Sequence, residues 1–292
     1  MCGSRRARGP ADKENIMSHH HQRSIAFTIL LSLTLGVQGF GLAAQKAKSA
    51  SAKPDPWVKD TLKSYKKLIS DRKGLKDAEA IELINKLHEK YEGMCAKDKA
   101  AYAKGIADSL LSGRCKRKPT KDGLYRSTIK ALSLTDKNGS RYLAKAFDNK
   151  KKFKNKEWIN LRGDMLEHLG RCKDPKYIDF LVDVALKNTS DTLMAKAGGA
   201  LKYYKETKLT VRKGISKVLI KKFANIYDNA HKNGNSNDPV RKTWENRHAA
   251  VSDPWNTTLQ ALTRQHYRSA NDWNRFWNKY KSKNWDKPLK TR

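Results

Sequence analysis

From Trp57 onward, apolar residues recur at steps of three and four, the period of helices that bury one face. The clearest segment is Asp174 to Lys187. Tyr177, Ile178, Leu181, Val182, Val184 and Ala185 make one broad apolar face, and Lys176, Asp179, Asp183 and Lys187 the opposite stripe. Asp174 is placed to cap the first turn, and Pro175 to occupy the first helical position, where its missing N–H costs nothing. The segment before it carries Trp158, Leu161, Met165 and Leu169 and stops at Gly170. The one after it runs through Leu193, Ala197, Leu201 and Tyr204, with Gly198 and Gly199 allowing a neighbour to come close. The same period predicts helices at 57–71, 76–92, 98–112, 121–134, 139–149, 210–228, 254–267 and 271–282. Residues 229–250 predict a loop rich in Asn and Gly, with a helix start at Asp238-Pro239. No run of alternating β-branched residues interrupts the series, so the fold class is all-α.

The segments repeat. Leu166-Glu167-His168-Leu169-Gly170-Arg171-Cys172-Lys173-Asp174-Pro175 places a short basic turn between two helices. Ala131-Leu132-Ser133-Leu134-Thr135-Asp136 does the same 35 residues earlier, with Tyr142-Leu143 falling where Tyr177-Ile178 falls. A period in the middle thirties, with a helix, a tight turn and a second helix in each unit, predicts stacked helical hairpins. The run from Leu161 through Leu201 resembles HEAT-type repeats: an apolar helix ends near Leu-Gly, Asp-Pro opens the next, and small residues such as Ala197 and Ala200 sit between layers. The likeness is best over 125–205 and implies a short α-solenoid with a general binding role. The departures are long basic insertions between helices and a Trp-rich C-terminal part; an irregular helical bundle is the alternative.

Residues 1–44 read as a leader and signal peptide. Arg23 precedes an apolar run from Ile25 to Leu35, Gly36, Gly39 and Gly41 follow, and Leu42-Ala43-Ala44 supplies small residues at a cleavage point. Met17 is an alternative start. Ile25 to Ala44 is 20 residues, so an uncleaved anchor is the rival reading, and the only membrane contact expected. Residues 45–56 read as a flexible linker, and 57–292 as the helical-repeat domain with a Trp-rich cap. The expected location is secreted or periplasmic.

Charge changes the picture from fold to partner. The chain carries +33; removing residues 1–44 takes away five basic and two acidic residues and leaves +30. Such a charge attracts polyanions, although a long helical surface also needs solvating. Cys95, Cys115 and Cys172 remain, an odd number with no zinc-type spacing, and are expected as unpaired thiols.

No phosphate loop, nucleophile elbow or paired-His zinc helix is present, and His88, His168, His231, His248 and His266 are scattered. His168 beside an apolar stripe reads as a packed histidine, and Asp179 with Asp183 as part of a solvated face. HEAT-like DNA glycosylases offer a comparison through Trp158, Arg162 and Asp164, which are too few to carry that activity over. No catalytic, cofactor or metal residue is assigned. Trp244, Trp255, Trp273, Trp277 and Trp285 crowd the C-terminal fifth and read as a cap on the last layer, with a stacking platform as the alternative. Asn138, Asn188 and Asn256 begin glycosylation sequons.

The sharper signal is Lys116-Arg117-Lys118 and Lys150-Lys151-Lys152-Phe153-Lys154, both in turns. Counted from Trp57, these turns follow the third and fifth helices and fall on one edge of a solenoid. Lys116, Arg117, Lys118, Lys150, Lys151, Lys152 and Lys154 are therefore expected to form one polyanion-binding surface. The reading is an exported scaffold, without catalysis, that binds a partner protein or an anionic polymer. Nucleic acid is a less favoured ligand, and an exported enzyme with an unrecognised site is the rival class.

Overall fold

The computed structural model describes residues 53–135, 137–232 and 238–288, Lys150 by its backbone alone. These residues belong to one compact unit. The leader, the signal segment and most of the linker lie outside the described residues. No helix among the described residues is long and apolar enough to cross a membrane.

The described residues are helical, without a strand. The α-helices are α1 (Pro56–Leu68), α2 (Asp77–Glu89), α3 (Ala96–Leu111), α4 (Gly123–Ser133), α5 (Lys137–Phe147), α6 (Lys150–Phe153), α7 (Ile159–Arg171), α8 (Ile178–Lys187), α9 (Asp191–Ala200), α10 (Leu209–Ala230), α11 (Pro239–Thr263) and α12 (Ala270–Tyr280). Capping follows local chemistry. Asp55 accepts from the Trp57 N–H ahead of α1, and Ser190 from Leu193 ahead of α9. Asp238 accepts from Val240 ahead of α11, and Ser269 from Asp272 ahead of α12.

Helices meet their neighbours and next neighbours in the chain. α1 packs on α2 and α3, α2 on α4, α3 on α4 and α5, and α7 on α4, α5 and α9. α9 then packs on α8 and α11, and α10 on α11 and α12. One apolar cluster runs through these contacts, from Val58 and Tyr65 in α1 to Trp273 and Phe276 in α12. Three side-chain bonds join segments at nearly the spacing expected for the repeat: Ser133 to His168 (2.8 Å), Ser140 to Asp174 (2.8 Å) and Tyr203 to Glu167 (2.6 Å), at separations of 35, 34 and 36 residues.

Three boundaries differ from expectation. Asp174 caps a single 3-10 turn (Pro175–Tyr177), and α8 starts only at Ile178. Gly170 does not end its helix: α7 continues to Arg171, and Lys173 takes the left-handed conformation at φ 51°. Gly170 is needed for closeness instead, because a Cβ there would lie 2.5 Å from the Ala200 carbonyl oxygen. α11 begins at the Asp238-Pro239 signal, as expected, but it continues without a break through Pro254 and takes in the helix expected at 254–267. It ends at Arg264, whose φ of 61° turns the chain, rather than at residue 267.

At the C-terminal end, Trp255, Trp273 and Trp285 are buried, and Trp244 and Trp277 pack partly against the core. Their N–H groups find acceptors: Trp255 donates to the Met194 carbonyl, Trp273 to Asn256 Oδ1 and Trp285 to the Tyr280 carbonyl. Buried indoles with satisfied N–H groups are packing elements.

Candidate functional site

The two basic turns are neighbours. The first joins α3 to α4, and the second, containing α6, joins α5 to α7. Lys152 links them: its Nζ donates to the carbonyls of Ser109 (2.6 Å) and Ser112 (3.1 Å), at the C-terminal end of α3. The same ammonium lies 4.9 Å from the Tyr125 ring centre and 5.6 Å from that of Phe153. Phe153, Tyr125 and Trp158 pack at 5.4–5.7 Å and anchor the short α6 in the core.

Arg117 reaches the other way, to the start of α2. Its guanidinium is 1 % exposed and binds Asp77 through Nε (2.8 Å) and Nη2 (2.7 Å). It also donates to the carbonyls of Lys116 (3.0 Å) and Ile69 (3.5 Å). The turn after α1 is thereby joined to the turn after α3. The turn after α1 adds exposed Arg72, Lys73 and Lys76, and Asp71 accepts the N–H groups of Lys73, Leu75 and Lys76.

The seven basic residues singled out in sequence therefore divide. Lys116, Lys118, Lys151 and Lys154 are exposed and form no ion pair among the described residues. Arg117 and Lys152 are turned inward and hold adjacent turns together. Lys150 opens α6, and only its backbone is described. Burial pulls the Lys152 amine down to about 8, with Arg117 adding to the shift, while Cys115 opposes it. Burial pushes the Cys115 thiol up, against the nearby cations of Lys152 and Arg117.

Further basic residues escaped the sequence reading because they lie within helices. Lys217 and Lys221 are exposed on α10, one turn apart, and Lys213 stands one turn before them, 5.4 Å from the Trp285 ring centre. On α1, Lys59, Lys63 and Lys67 are exposed at the same four-residue spacing. That spacing, which puts charges on one helical face, was the available signal.

The remaining chemistry is dispersed, with one exception. Cys95, Cys115 and Cys172 are free thiols. His168 is half-buried, accepts or donates through Nδ1 to Ser133, and is held below its ordinary value by burial and Arg171. Asn256 is buried, with both ends of its amide engaged by Trp273 and Arg268, whereas Asn138 and Asn188 are half-exposed. Between α9 and α11 lies an open cleft of about 460 Å³ lined by Glu167, Lys196, Lys202 and Pro254. Its one carboxylate is satisfied: burial would raise Glu167, but the Tyr203 hydroxyl and the cations of Lys202, Arg171 and Lys196 hold it below the usual range. No group of three or more ligating side chains converges among the described residues. The exception is His231 and His248, far apart in sequence, whose ring centres lie 5.3 Å apart.

No protein-family model, no curated protein and no solved structure matches the chain.

Proposed function

We propose that the chain is an exported, HEAT-like solenoid that acts as a non-catalytic scaffold and holds an anionic polymer along one edge. The contacts of each helix with its next neighbour, and the side-chain bonds near a 35-residue spacing, support a stack of hairpins. In such a stack the turns after α1, α3 and α5 share an edge, and the links made by Arg117 and Lys152 between these turns support that reading.

The observation that carries the reading is the division of labour in the basic turns. Two cations are spent on joining the turns, and Lys116, Lys118, Lys151 and Lys154 are left pointing to solvent without partners among the described residues. Charges on adjoining turns act together within a Debye length of about 8–10 Å, and a polyanion laid across them releases counterions.

The test is heparin or DNA binding at several salt concentrations, for the wild type and for Lys116, Lys118, Lys151 and Lys154 all changed to Gln. Affinity should fall steeply with salt, and the quadruple variant should bind at least tenfold more weakly with a shallower salt slope. A matched variant at Lys279, Lys281, Lys283 and Lys287 should lose less. The proposal fails if the C-terminal set matters more, which would make the Trp-rich end the platform. It also fails if neither set nor salt matters, which would leave a protein as the partner.

A further inference from the structure

Where α10 ends, two imidazoles meet. His231 follows the last turn of α10, and His248 projects from α11; their ring planes stand at 89°. The Nδ1 of His231 lies 2.9 Å from the Tyr227 carbonyl oxygen. A carbonyl can only accept, so Nδ1 carries the hydrogen and the neutral ring presents its Nε2 lone pair. Tyr227 stacks on the same ring at 4.1 Å and fixes its plane. The ring of His248 makes no hydrogen bond among the described residues. It packs near Phe223 (5.8 Å) and Tyr227 (5.5 Å), and lines an open cleft with Tyr227, Ser252 and Asp253.

Aromatic packing accounts for the ring faces but leaves the Nε2 of His231 and both ring nitrogens of His248 without a hydrogen bond among the described residues. The separation of the ring centres suits another task. A zinc-like ion sits about 2.0–2.1 Å from each imidazole nitrogen, so its two ring centres lie about 5 Å apart at a tetrahedral angle. The observed 5.3 Å is close to that separation. A ligating histidine also commonly gives its other N–H to a backbone carbonyl, as His231 does to Tyr227. The surroundings are open enough for water to complete the coordination.

We propose that His231 and His248 bind a divalent transition-metal ion of the zinc or copper class, which fastens the end of α10 to α11. Imidazole is a good donor for such ions, and two imidazoles with water make a site that loads and unloads with the supply of metal. This site is independent of the basic edge and of whatever that edge binds.

The experiment titrates the full chain with Zn²⁺ by calorimetry and follows unfolding temperature with and without the ion. His19, His20 and His21 are common to every variant, so the readout is the difference between variants. His248→Phe keeps an aromatic ring in place and removes the ligand; His231→Gln changes an exposed position. Each should remove one zinc equivalent or weaken it at least tenfold, abolish most of the zinc-dependent rise in unfolding temperature, and leave the urea midpoint in chelator close to wild type. The double variant should lose no more than either single one, because one ion needs both rings. Equal stoichiometry and equal thermal shift in all variants would overturn the site. So would a loss confined to one histidine, or a wild type that binds no more zinc than the double variant.

Discussion

Lysine at position 152 behaves unlike the lysines around it. The run Lys150-Lys151-Lys152 reads as three equal charges in sequence, because one residue type repeated in a turn carries no directional information. The fold separates them: α6 follows Asn149, whose side chain caps it, and Phe153 is drawn into the core beside Tyr125 and Trp158. The residue before Phe153 is then carried against the end of α3, where two carbonyls accept hydrogen bonds from its ammonium. Arg117 is separated from its neighbours by the same kind of event, a carboxylate at Asp77 forty residues away. The basic turns were legible in sequence; which cations serve the fold was not, since that depends on partners distant in the chain. A measurement follows. The Lys152 amine titrates near 8 in the folded chain and near its ordinary 10.4 when unfolded. Between those values the unfolded chain holds a proton the folded one has lost, so stability rises with pH across that window. Below about pH 8 both states are charged and the cost of burying the ammonium is constant. The difference in unfolding free energy between wild type and Lys152→Met should therefore be flat up to about pH 8. It should then climb by on the order of 2–3 kcal/mol in favour of the wild type by about pH 10.5. Urea unfolding at a series of pH values gives this directly, and a flat difference throughout would show the amine to be solvated.

Helices were legible where an apolar stripe faces one neighbour, and less so where both sides are used. α8 and α12 show their buried faces plainly, with Leu181, Val184 and Ala185 in one, and Trp273 and Phe276 in the other. α11 does not. Its first half carries Arg241, Lys242, Glu245, Asn246 and Arg247, so the apolar period is interrupted just where the helix is already formed. Pro254 reads as a break because it cannot donate to the carbonyl one turn back. In the fold, the packing of α11 on α9 and α10 outweighs that single lost bond, and the proline ring lies against Gly199. The glycines divide by the same test of neighbours. A Cβ at Gly170 would lie 2.5 Å from the Ala200 carbonyl oxygen and 2.9 Å from its Cβ, both on the facing helix, while one at Gly214 would meet open space. Gly170→Ala must push α7 and α9 apart and should cost about 1–3 kcal/mol, the usual range for overpacking. Gly214→Ala, mid-helix on α10, should instead gain about 0.5–1 kcal/mol by restraining the unfolded chain and suiting the helix. Midpoints of urea unfolding that move in opposite directions would support the close approach of α7 to α9. A neutral Gly170→Ala would mean that the two helices stand farther apart.

At the scale of the molecule, the stack of hairpins proposed above would have no closed core, and its last layer would need something to cover it. The tryptophan count pointed to such a cover; the charge beneath it was invisible in sequence. Arg212 on α10 is 2 % exposed, with one Nη donating to the Leu262 carbonyl (2.9 Å) and the other to Asp286 (2.5 Å), a separation of 74 residues. Asp286 adjoins Trp285, which packs on Phe276 at 5.4 Å and on Trp277 at 6.1 Å. The segment after α12 thus supplies both an apolar lid and the counter-charge for a buried guanidinium. A chain ending at Tyr280 loses both together. Arg212 is buried but Asp286 is 40 % exposed, so losing the carboxylate should cost less than the about 3–5 kcal/mol of a fully buried pair, while still leaving the guanidinium with only the Leu262 carbonyl. The truncated chain should therefore unfold at much lower urea than the full one, with the tryptophan fluorescence of α11 and α12 changing first. Adding Arg212→Met to the truncated chain removes the stranded charge while keeping an apolar stem in place, and should recover a substantial part of the loss. Recovery of that kind would separate the electrostatic share of the cap from its apolar share. If the truncated chain unfolds like the full one, the last layer is covered without this segment. If Arg212→Met recovers nothing, the guanidinium finds water once Asp286 is gone, and the cap works through Trp285 alone.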